Sequence, residues 1–370
     1  MGPRSTSDES PFDVTSWLHF LGGLVDRHPE FCARLARLES SSLARALRQV
    51  PVTMPIYVCG LARSGTTLLH EVVASHPSVA THQMKDYPMV FTPYWWRRAT
   101  RKRRPKPPRE RAHRDGIMVT TESPDALEEM LWMAFFRRCH DPSVSSLLGA
   151  EERHPAFESF YRSHIRKLLL AERATRYAAK ANYHVARLAY LVRLFPDARF
   201  LIAVRSPRRH IGSLARQHEW FCDGQRRSPR ALAFMRRSGH FEFGLDRRPV
   251  QLGDAPRTAQ IIDDWAAGRE VRGWATYWDM VYSHLGRLLD GDDKVRRASL
   301  IVRFETLCES PAETLRNVLD HCALADGEAL IERFAPTVRD PAYYASRFSP
   351  DDEKIIDEAT ADTARRWGYA

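Results

Sequence analysis

The sequence predicts an α/β fold with a central parallel sheet flanked by helices, on three observations. Short apolar runs at residues 56–59, 198–204 and 299–304 have the length and composition of buried strands. The segments between them carry apolar residues at helical spacing. A glycine turn joins the first run directly to a helix, as in P-loop-like folds. Because strands that alternate with helices pair in parallel, we expect a three-layer domain.

The 370 residues are predicted to form a single domain in three parts. Residues 1–50 are expected to form an N-terminal helical cap. Residues 88–175 are expected to form a basic loop and a helical insertion. The α/β core then comprises residues 56–87 and 176–370. No repeat and no Gly/Ser linker divides the chain.

Each element has its own signal. In the cap, Trp17, Phe20, Leu21 and Leu24 recur at helical spacing and are expected to form one apolar face. After the strand at 56–59, a helix is predicted to end at His76-Pro77. Further helices are predicted to begin at Ser123-Pro124, 157, 184, Ser206-Pro207 and 311, and further strands at 177–182, 198–204 and 299–304.

Composition limits the class of protein. The chain is 44% hydrophobic and 10% aromatic, as expected of a folded protein. Its six cysteines lack CxxC pairs, which is typical of reduced thiols. The sequence contains no Cys/His cluster of the kind that binds a metal. The apolar runs are too short to cross a bilayer, and the polar N-terminus does not resemble a signal peptide. We therefore expect a cytoplasmic protein without a metal cofactor.

Most of the net charge of +10 lies in residues 97–114, which hold ten Lys and Arg residues against one Glu. Three interpretations stay open. The run forms a solvated loop, since prolines and repelling charges oppose compact folding. Alternatively, it binds nucleic acid, or it contacts an anionic acceptor or a membrane surface.

The stretch GLARSGTTLL, residues 60–69, has the glycine spacing of a phosphate-binding loop. A triphosphate-binding loop has lysine directly after its second glycine, whereas this chain has Thr66 there and carries its basic residue earlier, at Arg63. The loop amides and the start of the following helix still form an anion site, to which Ser64 and Thr67 add hydroxyl groups. We therefore expect a ligand with a 5′-phosphate and one further anionic group.

The stretch VRSPRRHIGS, residues 204–213, predicts a second anion site. Arg205 ends a buried strand, where open α/β sheets place their ligands. Ser213 follows eight residues later, about two turns into the next helix, so both side chains can face one crevice. An arginine and a hydroxyl suit a second phosphate, carried on a ribose.

Together these motifs resemble those of the sulfotransferases that use 3′-phosphoadenosine-5′-phosphosulfate (PAPS). PIYVCGLARSGTTLL is similar to their 5′-phosphosulfate loop, and RSPRRHIGS is similar to their 3′-phosphate motif. Weaker similarity continues to the terminal RRWGYA, so the resemblance spans residues 56–370. The Arg-Ser-Gly-Thr-Thr form resembles the bacterial and tyrosylprotein branches more than the small-phenol branch.

The resemblance implies in-line transfer of a sulfo group from PAPS to a hydroxyl or amine, with adenosine 3′,5′-bisphosphate (PAP) leaving and no metal. It implies a small-molecule, glycolipid or carbohydrate acceptor. Motif position then assigns the residues: Arg63, Ser64, Gly65, Thr66, Thr67 and Leu68 to the 5′-phosphate and sulfo group, Arg205 and Ser213 to the 3′-phosphate, Lys180 to the transferring group and Phe304 to the adenine.

A neutral hydroxyl must lose a proton as it attacks, so a general base is needed. Related enzymes take it from a Glu shortly after the second strand, but this chain has THQMKD, residues 81–86, without a Glu. His82 is the first candidate for the base and Asp86 the second. His184 and Glu122 stay open.

Two other classes of protein were weighed against this one. A divergent P-loop kinase or NTPase would need a lysine after the second glycine and a strand that ends in a magnesium-binding carboxylate. A nucleic-acid-binding protein built on residues 97–114 would need stacking aromatics interleaved with the charges. Neither pattern is present, so no nucleic-acid partner is expected. The sequence does not fix the oligomeric state.

Overall fold

The computed structural model describes residues 10–102, 107–339 and 348–369. Five strands form a sheet in which every neighbouring pair is parallel, and two more form a small antiparallel hairpin. In chain order the strands are β1 (Ile56–Cys59), β2 (Val79–Ala80), β3 (Arg109–Glu110), β4 (Met118–Val119), β5 (Arg176–Lys180), β6 (Arg199–Val204) and β7 (Ser299–Arg303). The order in the main sheet is β2-β5-β1-β6-β7, which confirms the predicted central parallel sheet.

Several helices begin at a Ser-Pro pair, because proline suits the first helical position, where its missing N–H is not needed. Ser206-Pro207 and Ser310-Pro311 are two such starts. None of the described helices is long and apolar enough to cross a membrane. The helices are α1 (Ser16–Arg27), α2 (Pro29–Ser42), α3 (Ala44–Leu47), α4 (Thr66–Ala74), α5 (Pro93–Thr100), α6 (Glu129–Phe135), α7 (Pro155–Glu172), α8 (Leu188–Leu194), α9 (Pro207–Arg227), α10 (Pro229–Ser238), α11 (Ala255–Ala266), α12 (Glu270–Gly291), α13 (Asp293–Ala298), α14 (Phe304–Glu309), α15 (Pro311–His321), α16 (Glu328–Phe334) and α17 (Pro350–Arg366).

Alternate residues of the strands face two separate cores. Ile56 and Val58 belong to the core that α4, α15 and α16 cover. Tyr57 and Cys59 belong to the core on the other side, which α7, α8, α9 and α12 cover. Side chains alternate along a strand and both faces of the sheet are buried, so the sequences of these strands are continuous apolar runs. The three-layer prediction is confirmed.

The register of the sheet gathers the turns that follow its strands at one edge. Val58 of β1 lies beside Lys180 of β5, Cys59 lies beside Ile202 of β6, and Val204 lies beside Arg303 of β7. Since the strands are parallel, the segments after β1, β5, β6 and β7 all begin at this carboxyl edge. Ligands of open α/β sheets bind at such edges.

The N-terminal cap is helical as predicted, but its inward face was predicted wrongly. Trp17, Phe20 and Leu24 are 65%, 59% and 45% exposed. α1 instead approaches the rest of the chain through Gly22 and Gly23. A Cβ on Gly22 would lie 2.0 Å from the Tyr87 hydroxyl, so the absence of a side chain permits this close approach, which apolar spacing alone does not reveal.

The helix predicted at Ser123-Pro124 is also wrong. This segment instead pairs with residues 82–85: Met84 N donates to Ser123 O at 3.0 Å, and Asp125 N donates to His82 O at 2.9 Å. The helix starts only at Glu129. Long-range backbone pairing therefore overrides a local helix-start signal.

The predicted loop at residues 88–120 contains α5 and the β3–β4 hairpin. Arg97, the first residue of the basic run, is 5% exposed. Its Nε and Nη2 donate to the Asp86 carboxylate at 3.0 and 2.5 Å, and its Nη1 donates to Glu172 at 2.8 Å. The solvated-loop interpretation therefore fails at Arg97, because the buried Asp86 carboxylate and the exposed Glu172 carboxylate neutralise this charge. Residues 103–106 of the run lie outside the described part of the chain.

Candidate functional site

The turn after β1 is tightly enclosed. Gly60 and Gly65 have φ values of 136° and 96°, which side-chain-bearing residues rarely adopt. A Cβ on Gly60 would lie 2.4 Å from the Ala203 carbonyl oxygen of β6, and one on Gly65 would lie 2.9 Å from the Phe304 ring. The glycines therefore let the turn pass close to β6 and beneath Phe304, and α4 starts directly after it. Backbone N–H groups at this helix start suit an anion.

The two sequence motifs meet at Arg63. Its Nη1 lies 2.7 Å from Asp115 Oδ2, and its Nε donates to Ser213 Oγ at 3.3 Å. Arg205 Nη1 donates to the Arg63 carbonyl oxygen at 3.2 Å. Residues that lie some 140–150 positions apart in the chain thus form one cluster.

Arg205 is held at the end of β6 with 2% exposure. Its guanidinium lies 4.5 Å from the centre of the Phe304 ring, and its carbonyl accepts from Trp278 Nε1 at 3.3 Å. The ring packs against the delocalised cation, an arrangement that restrains the guanidinium. Ser213, from α9, is 1% exposed. The structure therefore brings Arg205, Ser213 and Phe304 to the loop.

His210 fixes α9 against the loop, and sequence reasoning missed it. Its Nε2 donates to the Ala62 carbonyl at 2.8 Å. Burial, reinforced by the charges of Arg205 and Arg63, lowers the pKa of His210 to about 3, so the ring is neutral at pH 7. A histidine one turn into a Ser-Pro-initiated helix carries no distinct sequence signal.

The remaining loop side chains have structural contacts. Ser64 Oγ donates to the Leu61 carbonyl at 2.7 Å and stabilises the turn. Thr66 is buried, and Thr67 Oγ1 accepts from Arg111 Nη1 at 3.2 Å. Leu68 packs against the core on the α4 side, so only its backbone is available to a ligand.

The β3–β4 hairpin places part of the basic run on the loop. Arg111 forms ion pairs with Asp115, which also pairs with Arg63. Burial alone would raise the pKa of Asp115, but Arg111 and Arg63 outweigh it and hold the pKa well below its usual range. The hairpin is anchored to α9, since Trp220 Nε1 donates to the Ala112 carbonyl at 2.7 Å. Arg111 and Asp115 were missed as site residues because nothing in the sequence relates them to the loop.

Lys180 lies at the end of β5, beside the strand that leads into the loop. Burial lowers the pKa of Lys180, and Arg111 and Arg63 add to the shift, while Glu242 and Asp125 oppose it. Both carboxylates were missed by sequence reasoning. The chain therefore assembles a mixed cluster of cations and carboxylates at this edge.

The candidates for the base occupy different environments. Asp86 is fully buried, and although burial alone would raise its pKa, Arg97 and His82 hold it well below its usual range. His82 is 1% exposed, with its Nε2 3.1 Å from His164 Nε2. His184 is 0% exposed, and burial lowers its pKa to about 4 despite the nearby Glu128.

The surroundings of these three residues do not suit them for taking a proton from an acceptor, because the Asp86 carboxylate accepts from Arg97, His82 Nε2 lies against His164, and the lowered pKa of His184 makes it a weak base. Glu122 is 40% exposed and paired with Lys85, as in an ordinary surface ion pair.

Among the described residues, one group of potential metal ligands lies close together, formed by Glu129, Cys139 and His140. Both oxygens of Glu129 accept from Arg187, at 2.8 and 2.7 Å. A guanidinium already neutralises this carboxylate, so the group suits an ion-pair network better than a cation.

Comparisons with known proteins indicate a family and a fold. A family model described as "Sulfotransferase family" matches residues 55–237, which include the loop, Lys180, Arg205 and Ser213. The sulfotransferase STF9 from Mycobacterium avium is a similar solved structure, at 13% identity and a TM-score of 0.50, over 90% of this chain and 82% of that one. At this identity the likeness concerns the fold.

A second solved structure, the sulfotransferase STF1 from Mycobacterium tuberculosis H37Rv, matches at 14% identity and a TM-score of 0.49, over 96% of this chain and 100% of that one. No curated protein matches the chain.

Proposed function

The chain belongs to the sulfotransferase family, and on that premise we propose that it transfers a sulfo group from PAPS to a hydroxyl or amine of an acceptor. The observation that carries the proposal is the cluster of Arg63, Arg205 and Ser213, which joins the two anion motifs at one edge of the sheet. Family membership implies a transferase enzyme.

The residues present fit the two anionic ends of such a donor. Arg63 and the N–H groups at the start of α4 suit the 5′-phosphate and the sulfo group. Arg205 and Ser213 suit a phosphate on the ribose, and the Phe304 ring offers a face for the adenine. The donor supplies the sulfo group and leaves as PAP.

Within this proposal, each side chain has a distinct task. Arg63 stabilises the negative charge that grows as the sulfo group moves. Lys180, whose lowered pKa reflects burial next to cations, donates a hydrogen bond at the same place. Arg111 holds Asp115, and Asp115 in turn orients Arg63.

The acceptor is proposed to be a small molecule, a glycolipid or a carbohydrate. Arg98, Arg101 and Lys102 of the basic run are exposed, so an anionic acceptor or a membrane surface can contact them.

We also propose a cytoplasmic location and no metal requirement. Burial raises the pKa of the Cys59 and Cys322 thiols to about 12, which suits inert structural cysteines.

The kinase alternative is less well supported. Thr66 stands where a triphosphate loop has its lysine, and Arg205 follows β6. Asp115, the carboxylate nearest the loop cation, pairs with two arginines. A magnesium ion would have to compete with both guanidinium groups for it.

The test compares nucleotide binding by calorimetry and turnover of PAPS. We expect PAP to bind in preference to ADP and to ATP with magnesium. Replacement of Arg63 by Ala should lower the rate of PAP release from PAPS by about 100-fold or more, because one preformed charge-stabilising group is lost. Arg227→Ala, at the exposed end of α9, is the matched control and should behave as the wild type. Preference for ATP with magnesium would contradict the proposal.

A further inference from the structure

His240 and Glu242 lie two residues apart in the segment that follows α10. This segment is tied to the end of β5: Phe241 N donates to the Tyr183 hydroxyl at 2.8 Å, and Asn182 Nδ2 donates to Glu242 Oε1 at 2.7 Å. Asn182 follows Lys180 by two residues. His240 and Glu242 are thereby fixed at the edge of the sheet where Lys180 lies.

The two side chains form a pair that remains accessible. His240 Nδ1 lies 3.5 Å from Glu242 Oε2, and the side chains are 24% and 14% exposed. His82 and His184, by contrast, are sealed in the core at 1% and 0% exposure. Because Nδ1 faces the carboxylate, Nε2 is the ring nitrogen that can exchange a proton with a bound molecule.

The charges around His240 favour its protonated form. Burial alone would lower the pKa of His240, but Glu242 and Asp125 raise it overall, with Lys180 opposing them. Burial alone would raise the pKa of Glu242, yet His240 and Lys180 lower it to about 2, so the carboxylate is ionised at pH 7. A proton taken up by His240 is therefore stabilised by two nearby negative charges.

His113 is another partly exposed histidine, and the charges around it have the opposite effect. Burial, Arg111, Arg63 and Lys180 all lower the pKa of His113, which falls well below its ordinary value despite Asp115. A proton on His113 would lie among three cations. The geometry and the charges thus distinguish one histidine from the other.

We propose that His240 is the general base of the reaction and that Glu242 is the residue that positions it, which rests on the proposed sulfo transfer. As the acceptor oxygen bonds to sulfur, the bond from sulfur to the phosphate oxygen breaks and its electron pair leaves with PAP. The acceptor proton passes to His240 Nε2, giving an imidazolium that Glu242 stabilises, and the proton then returns to solvent.

The first arm of the test needs no turnover. The ring proton resonance of His240, assigned by its loss in His240→Gln, is titrated by NMR with PAP bound. In the wild type we expect a pKa above the ordinary value of about 6.5. In Glu242→Gln we expect the pKa to fall, because the nearest negative charge is gone. An unchanged titration would overturn the role of Glu242.

The second arm measures PAP released from PAPS with water as the acceptor. His240→Gln should lower this rate by about 100-fold or more, while PAP binding stays within about two-fold. His28→Gln, an exposed histidine on the N-terminal cap, is the control and should keep the wild-type rate. The wild-type rate should fall as the pH drops through the His240 pKa, and Glu242→Gln should move that fall to lower pH.

The outcomes separate the two proposals. If wild-type protein binds PAP but His240→Gln keeps its rate and pH profile, the assignment of the base is wrong and the sulfotransferase proposal stands. If wild-type protein does not bind PAP, the proposed function fails and the assignment of the base fails with it.

Discussion

The proposed donor side and the proposed acceptor side of the site are built in different ways. On the donor side, Arg63 and Arg205 each lie within two residues of a glycine turn or a strand end, in strand–turn–helix units. On the acceptor side, Lys180, Asp125 and Glu242 come from three separate segments. A site that depends on local backbone geometry leaves a signature in the sequence, whereas one assembled from charges on distant segments does not.

The largest expected effect is a loss of stability when the first glycine of the turn after β1 is replaced. Gly60→Ala should destabilise the protein by about 3 kcal/mol, because φ is 136° and a Cβ would lie 2.4 Å from the Ala203 carbonyl oxygen. Urea unfolding measures the change. Gly149→Ala is the control, since a Cβ there meets no atom within 4 Å. Equal unfolding midpoints for the two variants would show that the turn relaxes without cost.

A smaller effect is expected in the pH dependence of stability, through the buried histidines His70 and His184. Burial lowers the pKa of His70 to about 3 and that of His184 to about 4. The unfolded chain protonates both below about pH 6.5, whereas the folded chain does not. The free energy of unfolding should therefore be highest above pH 6.5 and fall towards pH 4, by about 2 kcal/mol per histidine between pH 6.5 and 5.

The variant His184→Phe isolates one of these contributions. The His184 ring lies edge-on to Tyr57 and Trp132, so an aromatic replacement keeps the packing and removes the titration. Between pH 7.5 and pH 5, urea unfolding should show a smaller loss of unfolding free energy in this variant than in the wild type. An identical loss would mean that His184 is protonated in the folded state.

The smallest effect is expected at Glu122, one of the residues that the sequence left open as the base. Glu122→Gln should change the PAP-release rate less than about two-fold and the stability by less than about 1 kcal/mol, because an exposed ion pair contributes little. A loss of about 100-fold, as expected of His240→Gln, would show that the carboxylate at position 122 acts in the reaction.

The sequence predicted the strands, the loop and the second anion motif because their signals are local. Gly60 and Gly65 occur where the chain needs positive φ, and the apolar run before Arg205 is a buried strand. The two-residue strand β2 was missed, since so short a run has no periodicity.

The residues that distant segments bring to the site could not be predicted in the same way. Arg111 and Asp115 lie in a basic, proline-rich stretch, and only the β3–β4 hairpin brings them to the loop. His240 and Glu242 stand two residues apart in an irregular segment after α10. That spacing is too common to indicate a site without the contact to Asn182.

The proposed donor site is tested most directly by a binding cycle at the predicted 3′-phosphate site. Calorimetry would compare PAP with adenosine 5′-monophosphate, which lacks the 3′-phosphate, on the wild type and on Arg205→Ala. We expect the substitution to weaken PAP binding by about 30-fold or more, since a charge-assisted contact contributes roughly 2 kcal/mol. The affinity for adenosine 5′-monophosphate should fall by less than about three-fold. Equal weakening of both ligands would contradict the assignment of Arg205 to the 3′-phosphate.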